Sequence, residues 1–428
     1  MTAKKLFVDT GLLKSNAHFR RLLVARMISL LGLGMLAVAV PFQVYELGGS
    51  STLVGLAVAL DGTGMFIGLL LGGVLADCYD RRRLIVFARS VCGLGFVALA
   101  VNSLLPAPSL AAVLGLAFWD GFFGALGVTA LLAAMPHIVG REHLMQARAL
   151  GMLTMRAATV AAPALGGLLV ASVGLHGAYL AAAAGTGLTV LTLLGLPAMV
   201  PPRGESGGHP LTMLADAVAF LFGHRVILGV VALGTLMTLT TAIRVVFPAL
   251  TLEVYGGGAL GLGLMYTAVP VGATLGAVVS GWATRLARPG ATMGLVCLSA
   301  FACVAVLGVA GSLWLALPVL VAYGYATAIA SLLQYTLVQG HTPDAYLGRV
   351  NSLWTAQDVF GDSVGAIGIG ALATLTTPAL GILVFGLSAL VLGGAAWGAS
   401  GAMRRAPLTD PSLADPSLAD PVLAEASS

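Results

Sequence analysis

The stretch GGVLADCYDRRRL, residues 72–84, concentrates charge in a chain that otherwise has little of it. It holds Asp77, Asp80, Arg81, Arg82 and Arg83, whereas only 9% of the 428 residues are charged. Apolar runs lie on both sides of it, at about residues 51–76 and 84–104. The pattern predicts a polar turn between two membrane-crossing helices, with the three arginines beside the lipid surface.

Composition extends this prediction to the whole chain. Hydrophobic residues make up 58% of the sequence, which leaves too little polar surface to cover a water-soluble protein of this size. A bilayer core of about 30 Å requires about 20 apolar residues per helix, and the sequence contains twelve such runs, without the alternation of a barrel strand. We therefore predict an all-α integral membrane protein surrounded by lipid bilayer. The predicted spans lie at residues 22–46, 51–76, 84–104, 109–137, 150–173, 177–198, 226–252, 258–284, 291–310, 313–338, 350–373 and 378–400.

Basic residues predict the orientation of these spans. Twenty of the 21 lysines and arginines fall at the termini, in alternate loops or at the adjoining helix ends. The intervening loops, near residues 48–50, 106–108, 174–177, 256–258, 310–312 and 376–378, contain none. Because positively charged loops stay in the cytoplasm, both termini are predicted to be cytoplasmic. The polar N-terminus lacks the pattern of a cleaved signal peptide.

Two halves of the chain are related by an internal repeat. Pro41 matches Pro248 and Glu46 matches Glu253 at one offset of 207 residues. At an offset of 208 residues, Gly64, Gly68 and Gly73 match Gly272, Gly276 and Gly281. The repeat predicts two six-helix bundles, at 22–198 and 226–400, around a midplane site typical of secondary transporters. An N-terminal cytoplasmic segment (1–21), a cytoplasmic central loop (199–225) and a disordered acidic tail (401–428) complete the predicted organisation.

The charged turn resembles a motif of the major facilitator superfamily. Gly73, Asp77, Arg81 and Arg82 match the superfamily's turn between helices 2 and 3, although Asp80 stands where a glycine is usual. Longer segments, including SLLQYTLVQGHTPDAYLGRVNSLWTAQDVFGD at 331–362, are similar to the superfamily's bacterial enterobactin exporters. The resemblance covers nearly the whole chain apart from the tail.

This resemblance implies proton-driven export of a siderophore, catecholate in type, across the bacterial inner membrane. The expected ligands are the siderophore and protons, and the expected state is a monomer without nucleic-acid partner, cofactor or enzymatic activity. Efflux of drugs or other metabolites on the same scaffold stays open as the alternative. The four cysteines form no CxxC pair, and GxxxxGK[ST] is absent from the sequence, so neither a metal site nor ATP drive is indicated.

The resemblance also assigns roles to two motifs. In the superfamily the acid at Asp77 closes a cytoplasmic gate by pairing with a basic residue and with the positive N-terminus of helix 11. The candidates here are Arg349 and the backbone of residues 348–351. In helix 5, Pro163, Gly166 and Gly167 resemble the superfamily's antiporter motif. Proline and small residues in such a run set the direction of transport or simply allow close helix packing.

Ionisable residues inside the predicted spans are candidates for the cargo site, because burying them in lipid is costly. They are Asp61, Asp120, Arg244, Asp358 and Asp362. Since helices 1, 4, 7 and 10 line the cavity in the superfamily, Trp119 and Phe123 beside Asp120 are predicted to stack catechol rings. Contact with lipid or packing between helices is the alternative for these aromatic residues. Arg244, Tyr323 and Gln334 are predicted to complete the cavity wall, Arg244 pairing with a carboxylate across the cavity or with an acidic ligand.

Two carboxylates on helix 11 suggest how protons are carried. Trp354, Asp358 and Asp362 follow at intervals of four residues and share one helix face. Two like charges so close in a low-dielectric bundle are not both ionised, so the pair is predicted to share a proton. We predict Asp362 as the carrier, tuned by Asp358, with Asp120 as the second choice. In the alternative, both acids only make polar contacts with neighbouring helices or Asp358 stays solvated.

Overall fold

The computed structural model describes residues 12, 13, 16–140, 143–195 and 225–408 of the chain. Within these ranges the protein is almost entirely helical and contains no strand. Twelve described helices are long and apolar enough to cross a membrane. The predicted all-α membrane protein with twelve spans is therefore confirmed.

The spanning helices are numbered in chain order. Those of the first half are α1 Ala17–Gly48, α2 Ser51–Cys78, α3 Arg81–Leu104, α4 Leu110–Val139, α5 Leu144–Val173 and α6 Leu175–Leu194. Those of the second half are α7 Arg225–Tyr255, α8 Gly258–Val279, α9 Pro289–Val309, α10 Leu313–Gly340, α11 Asp344–Leu375 and α12 Pro378–Ala399. Helix α7 is irregular, with a 3-10 segment at Ala242–Val246 and a π-helical end at Leu250–Tyr255.

Short turns on one side of the helical array explain why consecutive helices are antiparallel. We call this side, which carries the loops without lysine or arginine, the neutral side, and the opposite side the basic side. On the neutral side Ser50, Ser312 and Thr377 accept backbone hydrogen bonds from the first turns of α2, α10 and α12, which is the usual way to begin a helix. Gly49 and Gly256, 207 residues apart, end α1 and α7 with φ angles of 59° and 63°, a conformation that favours glycine.

The internal repeat has a structural counterpart in two equivalent helix pairs. Helix α2 packs closely on α4 and α8 on α10. A side chain at Gly64 would collide with the carbonyl oxygen of Phe118, and one at Gly272 with that of Val321. The repeated glycines therefore allow the same close backbone approach in both halves.

The two halves meet through α2 against α11 and through α5 against α8. Here too small residues bring backbones together, since a Cβ at Gly370 would lie 2.6 Å from the carbonyl oxygen of Ser51. The hydroxyl of Thr52 donates to that of Thr374 at 3.0 Å, near the neutral end of the same interface. These contacts hold the halves together at the neutral side.

The chain ends differ in part from the sequence-based expectation. Helix α1 already begins at Ala17, before the predicted start of the first span at residue 22. Residues 401–428 were predicted to be disordered, but Gly401–Arg405 form a short helix, α13, with Met403 fully buried. The guanidinium of Arg404 lies 5.6 Å from the centre of the Trp397 ring, which ties α13 to α12. Most of the predicted segments 1–21 and 199–225, and the tail from residue 409, lie outside the described residues.

Candidate substrate-binding cavity

A cavity of about 720 Å³ lies between the two halves. Its wall is formed mainly by α1, α2, α4 and α5 from the first half and by α7, α8 and α10 from the second half. The lining is predominantly aliphatic, and its ionisable members are Asp61, Asp120, Arg244, Tyr266 and Tyr323. A large apolar space with a few polar groups is typical of sites for small organic ligands.

Pro248 explains how Arg244 reaches this cavity. Proline has no backbone N–H, so the carbonyl four residues earlier, that of Arg244, loses its helical partner. The chain responds with the 3-10 segment Ala242–Val246, and the hydroxyl of Tyr266 on α8 donates to the Arg244 carbonyl at 2.9 Å. The broken helix and the tyrosine together position Arg244 at the cavity wall.

The guanidinium of Arg244 forms an ion pair with Asp362 of α11. The other oxygen of Asp362 accepts a hydrogen bond of 2.8 Å from the Thr241 hydroxyl. Arg244 lines the cavity, whereas Asp362 is not among the described lining residues. The carboxylate that pairs with Arg244 thus comes from a neighbouring helix of the same half rather than from across the cavity.

Polar contacts between α7 and α11 continue from this ion pair toward the basic side. The Thr238 hydroxyl donates to Asp358 at 3.2 Å, and the Gln357 amide donates to the Thr235 hydroxyl at 3.0 Å. The Trp354 indole N–H also donates to Asp358, at 3.1 Å. Asp358 therefore faces α7 and its own helix, and among the described residues it does not line the cavity.

Asp120 lines the cavity from α4 and contacts α3 behind it. The Cys92 thiol donates to its carboxylate at 3.0 Å, and Arg89 lies within electrostatic range. Arg89, which the sequence places with the basic helix ends, is 6% exposed and packs beside Gly127 of α4. The sequence indicated this placement, because Arg89 lies inside the predicted span 84–104 rather than at its end.

The aromatic residues beside Asp120 point away from the cavity. The Trp119 indole donates to the Val91 carbonyl at 2.9 Å, and its ring centre lies 4.7 Å from that of Phe123. Phe123 also contacts Phe87 of α3. Neither ring is among the described lining residues. In this structure Trp119 and Phe123 do not form a platform for catechol rings at the cavity. They pack between α3 and α4 instead, in line with the helix-packing alternative.

The two predicted residues on α10 are placed differently from each other. Tyr323 lines the cavity, and its hydroxyl donates to that of Thr240 at 3.3 Å. Gln334 is buried at 6% exposure, with its amide against Gly234 of α7, and is not among the described lining residues. Helix α10 thus contributes Tyr323 to the cavity and Gln334 to helix packing.

Comparison with known proteins identifies the architecture. Residues 22–368 match the Major Facilitator Superfamily. The chain belongs to this superfamily. It is 46% identical, over 92% of its length and 94% of the relative's, to the enterobactin exporter EntS of Citrobacter koseri. It is 45% identical, over the same shares, to enterobactin exporter EntS of Shigella boydii.

Solved structures show the same superfamily fold at low sequence identity. A mutant of the nucleoside transporter NupG matches 90% of this chain and 100% of its own, with a TM-score of 0.75 and 14% identity. A mutant of the peptide transporter POT matches 92% of this chain and 96% of its own, with a TM-score of 0.72 and 15% identity. The family match, the exporter relatives and the twelve apolar helices make the protein a multi-pass membrane transporter and not an enzyme.

The structure describes only part of the charged turn between α2 and α3 that matches the superfamily's motif. A side chain at Gly73 would have open space around it. Asp80 begins α3 by accepting a 3.0 Å hydrogen bond from the Arg82 backbone, while the Arg82 side chain donates to the Leu194 carbonyl. Arg81 is buried. The side chains of Asp77 and Arg349 lie outside the described part of the chain, so the cytoplasmic gate stays a prediction.

The superfamily's helix 5 motif lies where α5 meets two neighbours. A Cβ at Gly166 would lie 2.8 Å from the Met35 backbone of α1, and one at Gly167 would lie 2.7 Å from the Gly263 backbone of α8. The carbonyl of Pro163 approaches Gly263 as well, and Pro163 lines the cavity. The motif therefore allows close packing within the first half and across the interface between halves.

Proposed function

We propose that this transporter exports a siderophore, enterobactin or a related catecholate, across the bacterial inner membrane. The observation that carries the proposal is 46% identity over 92% of the chain to the enterobactin exporter of Citrobacter koseri. The basic side faces the cytoplasm in this proposal, with both termini inside and the protein acting as a monomer. Such an orientation agrees with the distribution of lysine and arginine.

The cavity suits a cargo of this chemistry. Catechol rings are apolar on their faces and carry vicinal hydroxyl groups at one edge, so they need both aliphatic surface and hydrogen-bonding groups. The cavity offers an aliphatic wall with Arg244, Asp61 and Asp120 exposed in it. Its volume of about 720 Å³ lies within the usual range of roughly 300–1,000 Å³ for ligand sites.

Proton drive is part of the proposal, with Asp362, Asp358 and Asp120 as the residues that couple. Protonation of Asp362 removes the negative charge that holds Arg244. The ion pair between α7 and α11 therefore breaks when Asp362 gains a proton and forms again when Asp362 loses it. Asp358 continues the polar contacts toward the basic side through Thr238. In this proposal, a proton on Asp362 leaves toward the cytoplasmic side by way of Asp358.

Gating alternates between the two sides in this scheme. Asp77 and Arg349 close the cytoplasmic side, while α2 against α11 and α5 against α8 close the neutral side. An Asp77→Asn variant is expected to favour the state open to the cytoplasm, measured by crosslinking of cysteine pairs across the cytoplasmic ends. Crosslinking equal to that of the parent protein would argue against this gate.

The decisive experiment measures secreted and intracellular siderophore in a strain lacking the gene. Loss of export with intracellular accumulation, restored by the wild-type gene, supports the proposal. Unchanged siderophore secretion combined with lost dye efflux points instead to drug or metabolite efflux. In proteoliposomes, Asp362→Asn should lose accumulation driven by a pH gradient, with Glu46→Gln, an exposed acid outside the cavity wall, as the matched control.

A further inference from the structure

Asp61 occupies a central position that the coupling scheme above leaves without a role. It lies on α2 and lines the cavity together with Asp120 and Arg244. The next residue, Gly62, packs against Ser363 of α11, which itself follows Asp362. The close approach of α2 and α11 thus brings Asp61 of one half near the ion pair of the other half.

The three cavity-region carboxylates differ in their partners. Asp362 binds Arg244 and Thr241, and Asp120 accepts the Cys92 thiol. Within the part of the chain that the structure describes, the Asp61 carboxylate has neither a hydrogen-bond partner nor an ion-pair partner. Its oxygens are available to whatever occupies the cavity, since Asp61 is one of the lining residues.

The charges around Asp61 also favour proton binding in this region. Four carboxylates (Asp61, Asp120, Asp358 and Asp362) and two guanidinium groups (Arg89 and Arg244) interact electrostatically there. With all six ionised the net charge is −2, and uncompensated charge in a low-dielectric interior is costly. Among the described contacts, protonation of Asp61 breaks no hydrogen bond and no ion pair, whereas the other three carboxylates have such partners.

On the basis of the proposed function, we propose that Asp61 is the group for which a proton and the hydroxyl groups of the cargo compete. An ionised carboxylate accepts hydrogen bonds with both oxygens, and a catechol presents two hydroxyl donors side by side. Protonation turns one oxygen into a donor and removes the negative charge that strengthens both hydrogen bonds. A proton arriving from the neutral side therefore displaces the cargo, which is the exchange that an antiporter requires.

Other titratable groups face Asp61 and bear on its pH response. The groups that interact electrostatically with Asp61, or share the cavity wall with it, are Cys92 of α3, Asp120 of α4, Arg244 of α7, Tyr266 of α8, Tyr323 of α10 and Asp362 of α11. Phenols and thiols ordinarily titrate above about pH 8. Between about pH 5 and about pH 7 the mutations must therefore distinguish the effect of Asp61 from the effects of the other carboxylates.

The test measures equilibrium binding of enterobactin to the purified full-length transporter between about pH 5 and about pH 7. For the wild type, affinity should fall as the pH falls, by up to about tenfold per unit for one competing proton. Asp61→Asn should bind several-fold more weakly at the upper pH and lose most of the pH dependence. Asp61→Glu should retain the pH dependence, and Glu46→Gln should behave like the wild type.

A second probe separates hydrogen bonding from a general effect on the cavity. Enterobactin with methylated catechol oxygens keeps the apolar surface but lacks the hydroxyl donors. The wild type and Asp61→Asn should bind this probe with the same affinity at every pH. Thermal unfolding of each variant, compared with the wild type, reports whether the fold is retained.

Three results overturn the proposal in distinguishable ways. If Asp61→Asn binds enterobactin with the pH dependence of the wild type, Asp61 is not the site of competition, and the proposed export function is unaffected. If Asp362→Asn alone removes the pH dependence, the competing proton is on Asp362. If neither the wild type nor Glu46→Gln binds enterobactin, the proposed cargo fails and this inference fails with it.

Discussion

Tyr45, near the end of α1, donates a hydrogen bond to the carboxylate of Glu253 in the π-helical end of α7. Both residues follow a proline, Pro41 or Pro248, and precede the left-handed glycine that ends the helix, Gly49 or Gly256. The bond joins the first half to the second half on the neutral side. It therefore stabilises the arrangement in which the two halves are in contact on that side.

Removing this bond should open the neutral side. A partly exposed hydrogen bond to a charged group contributes about 1 kcal/mol, which corresponds to a change of roughly fivefold in a two-state equilibrium. Spin labels can be placed at Ala107 and Gly311, on exposed neutral-side turns of the two halves. We expect Tyr45→Phe to increase the fraction of molecules in which these two labels are far apart. Tyr79→Phe, which alters a tyrosine 62% exposed at the basic end of α2, should leave the distances unchanged.

The ion pair between Arg244 and Asp362 should show strong coupling in a double-mutant cycle. Asp362→Asn leaves an unpaired arginine in the membrane interior, and Arg244→Gln leaves an unpaired carboxylate. Because the side chains are 40% and 21% exposed, we expect each single change to cost only about 1–2 kcal/mol. The double variant should be no less stable than either single variant, measured by thermal unfolding in detergent. Additive losses would contradict the pairing.

Gly167 and Gly263 should tolerate no side chain where α5 meets α8. A Cβ at Gly167 would lie 2.7 Å from the Gly263 backbone, so Gly167→Ala forces the helices apart and should cost about 1–3 kcal/mol in the state closed on the neutral side. Transport in proteoliposomes should fall accordingly. Gly263→Ala should reduce transport to a similar extent. The double variant should lose little more transport than either single variant, because one added methyl group already separates the helices. Gly115→Ala, at a position where an added Cβ would meet open space, is the control.

Aromatic residues should matter for cargo only where they touch the cavity. Tyr266→Phe removes the hydrogen bond that holds the Arg244 carbonyl, so the position of Arg244 becomes less defined and cargo affinity should drop several-fold. Trp119→Phe retains the packing between α3 and α4 and should leave cargo affinity close to that of the wild type. Equilibrium binding of enterobactin measures both. A large loss of affinity in Trp119→Phe would instead support the predicted aromatic platform.

Local composition was sufficient for much of the fold. Apolar runs about the length of a bilayer crossing can only be helices in lipid, because each helix satisfies its own backbone hydrogen bonds. The repeat of Pro41 with Pro248, and of Gly64 with Gly272, predicted the two halves before any contact was known. The intramembrane carboxylates and Arg244 were recognisable for the same reason, since the cost of burying charge makes them rare.

The partners of these residues were decided by the tertiary structure. Sequence spacing places Trp119 and Asp120 side by side, yet on an α-helix consecutive residues point in directions about 100° apart. Asp120 therefore faces the cavity while Trp119 packs against α3. The neighbouring helix also determines that Arg244 meets Asp362 and that Asp61 has no described partner. Periodicity determines which residues share a helix face, whereas what that face contacts depends on how helices distant in sequence pack together.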